Sequence, residues 1–455
     1  MSTDNSITPR LIEYMSGALD SELPPNVLVK TKHHILDTLS AMISGSVMHP
    51  GLLGKQFILQ QGGTPEAQII GSPHLTSAIN AALANGMMAH SDETDDSNGS
   101  AGLHPGCATV PAALAMAERE DASGTDLIRS VALGYDIGSR TVRSLGREAM
   151  RARNHLPYSI GGTMAATAAA GSLARLDMEQ YRPLLSYGAQ QASGIMTYQR
   201  DVEHVEKAFI FGGMPCRNGV TAAQMVQNGF SGVHDTFIGD GNFLIAYADN
   251  PNKDELISEL GNRYEVMLTN IKKYCTGFPI QSPAEGLLIL KEKYGLKPDD
   301  ISKIVVRLSK RDAHTVNDRE MPDINLQYIF AVALIDGGIS FEAAHSFERM
   351  SDPQIMALRS KITLIGDEAL SNVDPMSQSI VEVTRPDGST VQEHVVSFKG
   401  KAENPLTTEE VVEKATDLIE PIFGKSQTRE LTDAINNLET IGKVRELRSL
   451  LSANT

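Results

Sequence analysis

The densest group of polar residues is HSDETDDSNGSAGLHPG, residues 90–106, which contains two histidines and four carboxylates. The acidic side chains are Asp92, Glu93, Asp95 and Asp96. Such a run is typical of a solvated loop, of a site for a hard divalent cation, or of a catalytic loop in which one carboxylate is the base. His104 directly precedes Pro105, a pattern typical of a helix N-terminus, where free N–H groups favour an anion.

A second candidate is EKAFIFGGMPCRNG, residues 206–219. Lys207 and Arg217 flank Gly212-Gly213, which we interpret as a turn where two cations could converge near exposed backbone N–H groups. The glycines are too few for a nucleotide-binding loop. The alternative is that Lys207 is an ordinary surface lysine with no role.

A third candidate is IKKYCTGFPIQS, residues 271–282. Two lysines precede Cys275, and Lys273 could lower the pKa of this thiol enough to make it a nucleophile. No histidine follows closely in the sequence, which favours a buried structural thiol instead. This segment also lies near the point where the helical pattern of the sequence gives way to a mixed helix and strand pattern. Such a change indicates a domain junction, and domain junctions are favoured places for ligand clefts.

Residues 1–265 show helical periodicity, with helices predicted near 25–45, 76–90, 105–120 and 161–176. From about residue 266 the pattern is mixed. KIVVRLS (303–309) alternates as a strand does, 380–398 reads as a hairpin around Pro386-Asp387-Gly388, and 326–338 reads as a buried helix. The tail returns to helix, with Thr407 and Glu410 spaced as a capping box. The prediction is a mainly α protein: a large all-helical domain (1–265), a smaller α+β domain (266–400) and a C-terminal helical return (401–455).

The composition limits the kinds of partner. The 455 residues include 40 Lys+Arg and 56 Asp+Glu, and a net charge of −16 argues against nucleic acid or an anionic membrane. The three cysteines form no C-x-x-C pair, which argues against a disulfide framework or a zinc ribbon. The segment MSTDNSITPRLIEYM lacks the apolar h-region that is typical of a signal peptide. No apolar run approaches the ~18 residues that a membrane span needs. We expect a cytoplasmic protein.

Taken together, these segments resemble the MmgE/PrpD family, which includes 2-methylcitrate dehydratase, cis-aconitate decarboxylase and iminodisuccinate epimerase. NGMMAHSDETDDS (85–97) with HPG (104–106) is similar to the family pattern N-G-x-x-x-H-x-x-D-x-D-D-T…H-P. The further motifs that resemble the family are EKAFIFGGMPCRNG, IKKY, INLQYIFAVALIDGGISFEAA (324–344) and KAENPLTTEEVVEK (401–414). The likeness covers nearly the whole chain, and the five motifs occur in the family's order.

The resemblance implies an all-helical domain with a smaller α+β lid, a homodimer, and catalysis without a metal or an organic cofactor. It also implies a cleft for a small carboxylate substrate, lined by the acidic loop, Lys207, Lys272 and Tyr328. On this basis the predicted catalytic residues are Glu93, His104, Lys207, Lys272 and Tyr328. The predicted substrate-binding residues are Asp92, Ser97, His155 and Arg217.

The chemistry that the resemblance implies begins with removal of a proton next to a carboxylate. Lysines stabilise the enediolate-like dianion that forms, and His104 or Tyr328 provides the acid for a leaving hydroxyl. The leading interpretation is therefore a dehydratase of the lyase class. A decarboxylase, an isomerase or epimerase, and a non-catalytic carboxylate-binding protein on the same scaffold are the alternatives.

The sequence departs from the family pattern at several positions. Glu93 and Ser97 stand where the family has Asp and Thr, and Ile210 stands where it has a histidine. After IKKY, the family's later imidazoles are replaced; the residues here are Cys275, Thr276, Gly277 and Gln281. A pocket with fewer cationic groups holds fewer carboxylates, so we expect a substrate smaller or less charged than 2-methylcitrate.

Overall fold

A computed structural model describes residues 7–453 of the chain. The chain divides into two units, the first formed by residues up to Thr269 together with those from Thr408 onward, the second by Asn270–Thr407. The fold is mainly α, as the sequence predicts. Residues 1–6, on which the predicted absence of a leader partly rests, lie outside the described residues.

Among residues 7–453, the regular structure of the first unit is helical apart from a ladder of two short strands, β1 (Ala67–Gln68) and β2 (Leu75–Thr76). Its helices are α1 (Ile7–Ser16), α2 (Pro25–Gly45), α3 (His49–Gln61), α4 (Ala78–Ala89), α5 (Pro105–Arg119), α6 (Gly124–Leu145), α7 (Arg147–Ala152), α8 (Pro157–Leu173), α9 (Tyr181–Gln191), α10 (Val205–Ala208), α11 (Met214–Gln227), α12 (Phe243–Tyr247) and, after the second unit, α18 (Thr408–Asn436). Within residues 7–453, none of the helices combines the length and the apolar composition that crossing a membrane requires.

Helix α8 lies at the centre of the first unit, packed against α5, α6 and α11. Its sequence PYSIGGTMAATAAAGSL is rich in Gly and Ala, and nearly all of it is buried. A Cβ on Gly161 would lie 2.5 Å from Val142, and a Cβ on Gly219 of α11 would lie 2.4 Å from the Ala166 carbonyl carbon. The small residues therefore let the neighbouring backbones approach closely, as the composition of this segment predicts.

Two of the predicted helices begin at well-defined caps. Helix α4, predicted near 76–90, is capped by Ser77, which accepts a hydrogen bond from the Asn80 N–H group. His104 is the N-cap residue of α5, with Pro105 at the first helical position. These two helix boundaries fix both ends of the acidic loop, since α4 ends at Ala89 and α5 begins at Pro105.

The second unit combines helices with a four-stranded sheet of order β4-β3-β5-β6. Its elements are α13 (Phe278–Tyr294), β3 (Lys303–Ser309), α14 (Lys310–Val316), α15 (Leu326–Asp336), α16 (Phe341–Ala344), α17 (Pro353–Arg359), β4 (Ile362–Asp367), β5 (Ser379–Thr384) and β6 (Thr390–Val395). Strand β3 is parallel to β4 and antiparallel to β5, and β5 pairs with β6 as the predicted hairpin. Ile304, Val306 and Leu308 of β3 are buried, which confirms the predicted alternation.

The Gly212-Gly213 segment is not a turn, and that interpretation was wrong. Residues Phe209–Gly213 form a single π-helical turn that continues from α10 into α11, and both glycines are buried. A Cβ on Gly212 would lie 2.0 Å from the Gly86 carbonyl oxygen, and one on Gly86 would lie 2.6 Å from the Gly212 carbonyl oxygen. The glycine at position 212 therefore permits backbone contact with α4 and does not expose N–H groups.

Candidate functional site

Lys207 and Glu93 form an ion pair in the first unit. Lys207 lies on the short helix α10, Glu93 lies in the acidic loop, and the lysine Nζ donates a hydrogen bond to Glu93 Oε1. The two side chains are 20% and 10% exposed, so the pair lies at the edge of the buried region. A ligand carboxylate could therefore reach the ammonium group by replacing the Glu93 carboxylate.

Asp95 lies between two histidines. Its Oδ2 is 3.0 Å from His90 Nδ1 and its Oδ1 is 3.1 Å from His104 Nδ1. Burial acts to raise the pKa of Asp95, but the contacts with the two imidazoles outweigh burial and hold that pKa well below its ordinary range. Burial lowers the pKa of His90, so an ionised Asp95 lies beside a neutral His90. Because Asp95 engages Nδ1 of His104, the Nε2 atom of that ring is the one available for proton transfer.

Aromatic rings surround these groups. The Phe211 ring stacks on His90 with a centroid separation of 4.5 Å and on Tyr158 with one of 4.7 Å. His104 meets Phe211 edge-on at 5.6 Å, and Lys207 Nζ lies 5.4 Å from the centre of the same ring. Both candidate catalytic groups therefore border one apolar ring, beside which electrostatic interactions are stronger than in water.

The acidic loop is not solvated, so the first of the three sequence interpretations is wrong. Asp96 is fully buried and accepts hydrogen bonds from the Tyr135 hydroxyl at 2.5 Å and the Gly106 N–H group at 2.9 Å, while His34 Nδ1 lies 2.7 Å away. Asp92 accepts from the Thr94 hydroxyl at 2.5 Å. The loop is thus anchored from inside to α2, α5 and α6.

The other predicted residues of the first unit have different surroundings. The Ser97 hydroxyl is buried and has no hydrogen-bond partner among the described residues. His155 packs edge-on against Tyr247 with a centroid separation of 5.1 Å. Arg217 donates to the Asn218 side chain and lies over the Phe209 ring. Glu93 and Lys207 therefore contact each other. The contacts of His155 and Arg217 described above are with residues outside the predicted site.

Lys272 and Tyr328 belong to the second unit. Lys272 is fully buried in the segment before α13. Tyr328 lies on α15, and its hydroxyl donates to the backbone carbonyl oxygens of Ala343 at 2.6 Å and Ser346 at 3.2 Å. Burial raises the pKa of the Tyr328 hydroxyl. In this arrangement the hydroxyl proton is already engaged within its own unit.

Sequence reasoning did not select several residues of the site. His90 and Asp95 lie in the quoted motif, but nothing in their spacing indicates that Asp95 contacts both His90 and His104. His204 precedes α10 in a left-handed backbone conformation, with a φ of 60°, and its ring lies 5.3 Å from that of His90. No sequence pattern indicates His204 or Phe211, because their relation to the loop depends on tertiary packing.

Two family models match the chain. The MmgE/PrpD N-terminal domain matches residues 10–256 and the MmgE/PrpD C-terminal domain matches residues 274–440. A cis-aconitate decarboxylase-like protein, oryM, from Aspergillus oryzae is 24% identical, with 99% of this chain and 98% of the relative covered. The cis-aconitate decarboxylases of Homo sapiens and Mus musculus are 25% and 23% identical to this chain. Each alignment covers 98% of this chain, and the alignments cover 94% of the human protein and 93% of the mouse protein.

Proposed function

Because the chain belongs to the MmgE/PrpD family, we propose that it is a lyase that acts on a small di- or tricarboxylic acid by proton transfer next to a carboxylate, without a cofactor. The observation that best supports this is the joint position of two groups beside the Phe211 ring. These are the Lys207–Glu93 pair and His104 held by Asp95. The first supplies a cation for a carboxylate, and the second supplies a positioned proton donor or acceptor.

In the proposed mechanism, Lys207 binds a substrate carboxylate in exchange for the Glu93 carboxylate. Its charge stabilises the negative charge that develops on that carboxylate when the adjacent carbon becomes a carbanion. His104 transfers a proton through Nε2, while Asp95 holds the ring by Nδ1. Glu93, released from Lys207, is a candidate for the base. Lys272 and Tyr328 remain proposed participants.

Loss of CO2 is the reaction we favour. The carbon–carbon bond to one carboxylate breaks, its electron pair moves into a carbanion conjugated with a remaining carboxylate, and His104 protonates the carbon. The apolar Phe211 and Tyr158 rings favour this step, because neutral CO2 departs and the charge of a localised carboxylate, which an apolar environment destabilises, becomes delocalised over the conjugated carbanion. The relatives from Homo sapiens and Mus musculus, which are cis-aconitate decarboxylases, and the decarboxylase-like protein oryM support the same reaction on cis-aconitate.

Dehydration is the second candidate, and it is the activity that the motif pattern predicts. Here the base takes a proton next to a carboxylate, and the neighbouring hydroxyl leaves with a proton from His104. The pairing of Glu93 with Lys207 favours this reading, since it places a potential base beside a carboxylate-binding cation. The Glu93 side chain is one methylene longer than the Asp of the family pattern and therefore takes up more space. A substrate smaller than 2-methylcitrate therefore fits the proposal.

Proton NMR in D2O tests the proposal. Protein treated with a chelator is incubated separately with unsaturated tricarboxylates, hydroxy acids and amino-dicarboxylates. Deuterium incorporation with loss of a carboxylate identifies decarboxylation, new vinyl signals identify dehydration, and exchange at the α-carbon alone identifies epimerisation. Lys207→Ala is expected to abolish turnover, whereas Lys425→Ala, a change at a side chain that is 87% exposed, is expected to retain it. Thermal stabilisation by these acids with no chemical change would contradict the lyase and support a binding protein.

A further inference from the structure

We propose that His90, Glu93 and His204 form a binding site for one zinc ion in the first unit. One nitrogen from each imidazole and one carboxylate oxygen lie within 4.8 Å of one another, and all three residues are buried. Two nitrogens and one carboxylate oxygen are a ligand set that zinc accepts in sites with an open fourth position. The inference concerns binding alone and does not rest on the proposed reaction, which does not need the ion.

The first argument is that two buried nitrogens lack partners. Nε2 of His90 and Nε2 of His204 are each without a hydrogen bond within residues 7–453. Both rings are almost completely buried, His90 at 0% and His204 at 5% exposed. Buried polar atoms in native proteins nearly always have a partner, and an exception calls for a bound ion or water. One nitrogen of each ring also lies within 4.8 Å of the other and of a Glu93 carboxylate oxygen, an arrangement that fits a bound ion.

The second argument concerns ring orientation and protonation. His90 Nδ1 lies 3.0 Å from Asp95 Oδ2, although the contact is not a well-aligned hydrogen bond. Metal-binding imidazoles commonly have their other nitrogen beside a carboxylate, which fixes the ring and raises its basicity. A metal binds the neutral form of an imidazole, so both rings would bind as uncharged ligands.

The third argument is charge. His204 interacts electrostatically with Asp92 and Glu93, and His90 interacts with Asp95. The Lys207 ammonium group interacts electrostatically with both rings. Three carboxylates and one ammonium, with both imidazoles counted as uncharged ligands, give a formal charge of −2, which a divalent cation neutralises. Lys207 and the ion both require the Glu93 carboxylate, so they compete for it. The structure therefore predicts that removal of the Lys207 ammonium strengthens zinc binding.

A neighbouring group of potential ligands, His90, Asp95 and Cys107, fits less well. The thiolate is the form of cysteine that binds a metal, and burial holds the pKa of Cys107 well above its usual value. Its Sγ also contacts the carbonyl oxygens of His104 and Phe211.

The ligand types of the proposed site indicate which metal it binds. Imidazole nitrogens favour zinc over magnesium or calcium, which prefer oxygen ligands. Tetrahedral zinc with bonds of about 2.0–2.1 Å brings its ligands closer than 4.8 Å, so binding requires the three side chains to move slightly closer together.

The test is titration of the chelator-treated full chain with Co2+, a spectroscopic substitute for Zn2+, followed by displacement with Zn2+. Four-coordinate Co2+ gives visible absorption, and we expect one equivalent to produce it. His204→Asn keeps a residue type that tolerates the left-handed conformation, and Glu93→Gln removes the third ligand. Each is expected to weaken binding by at least ~10-fold, while Lys207→Ala strengthens it.

The matched control is His234→Asn, at an exposed histidine of the same unit, which is expected to bind Co2+ as the unchanged protein does. Circular dichroism of each variant verifies that it is folded. Equal affinity in His204→Asn, Glu93→Gln and the unchanged protein, or no four-coordinate spectrum at one equivalent, would overturn the proposal. Because the readout is a spectrum, the result is independent of whether the chain turns over any acid.

Discussion

Lys414 of α18 and Asp37 of α2 form a buried ion pair, in which the lysine Nζ donates to Asp37 Oδ1 at 2.6 Å. The same ammonium donates to the Thr94 carbonyl oxygen of the acidic loop at 2.9 Å. A residue of the C-terminal helix thus connects helix α2 with the loop that contains Glu93 and Asp95. The loop depends on a cation that lies 320 residues away along the chain.

Lys414→Met is expected to destabilise the protein by about 3–5 kcal/mol at pH 8, because removal of one partner leaves the other charge buried and uncompensated. Burial raises the pKa of Asp37 to about 6 even with Lys414 present, and loss of the lysine raises it further. At pH 5 the carboxyl is protonated in the folded variant, so the penalty is smaller there. Denaturant unfolding at both pH values measures the difference. The double variant Asp37→Asn/Lys414→Met should recover part of the loss; an equal penalty at both pH values would contradict this account.

His34 contributes a pH-dependent term to stability. Burial, with a smaller effect from Lys30, lowers its pKa from 6.5 to about 4 in the folded state. Between these values the unfolded chain binds more protons, so stability from His34 is fully present above pH 6.5 and is lost as the pH falls towards 4. The stability difference between the unchanged protein and His34→Gln should shrink by about 3 kcal/mol over this range. His314→Gln, at an exposed site, should show no such trend, and a pH-independent difference for His34→Gln would disprove the assignment.

Asp95→Asn is expected to lower kcat by about 10²–10⁴-fold with little change in KM, if His104 transfers the proton in the proposed reaction. The amide can no longer favour the tautomer that has a proton on Nδ1 of His104. The pH profile of kcat should shift as well, an effect that a merely structural role would not produce. The matched control is Asp249→Asn, at a side chain that is 74% exposed. A change confined to KM would count against a positioning role for Asp95.

Gly86→Ala is expected to destabilise the first unit by about 1–3 kcal/mol, because the new Cβ would lie 2.6 Å from the Gly212 carbonyl oxygen. Backbone atoms cannot rotate away as a side chain can. Gly338→Ala is the matched control, since a Cβ there meets nothing within 4 Å. Denaturant midpoints of the two variants measure the contrast. A stability of Gly86→Ala equal to that of Gly338→Ala would mean that α4 and the π-helical turn adjust freely.

The sequence was sufficient to predict helices α2, α4, α5 and α8 of the first unit and strands β3, β5 and β6 of the second, because these follow from local periodicity and capping. The β3 alternation and the α5 start at Pro105 are examples. Strand β4 was not among the predicted elements. The sequence was also not sufficient to predict the environment of the acidic loop. The partners of Asp96 are His34 and Tyr135, which are 62 and 39 residues away, so burial of this carboxylate depends on tertiary packing. The π-helical turn likewise has no local pattern of its own.

The π-helical turn at Phe209–Gly213 determines the angular relation between the helix segments on either side of it. An α-helix turns by about 100° per residue, and a π turn accommodates one residue more per turn than an α turn. Deleting one residue from this turn would restore a continuous α-helix and rotate α10 by about 100° around the axis of α11. Lys207 would then point away from Glu93. The direction in which Lys207 projects from α10 therefore depends on the number of residues in the π-helical turn.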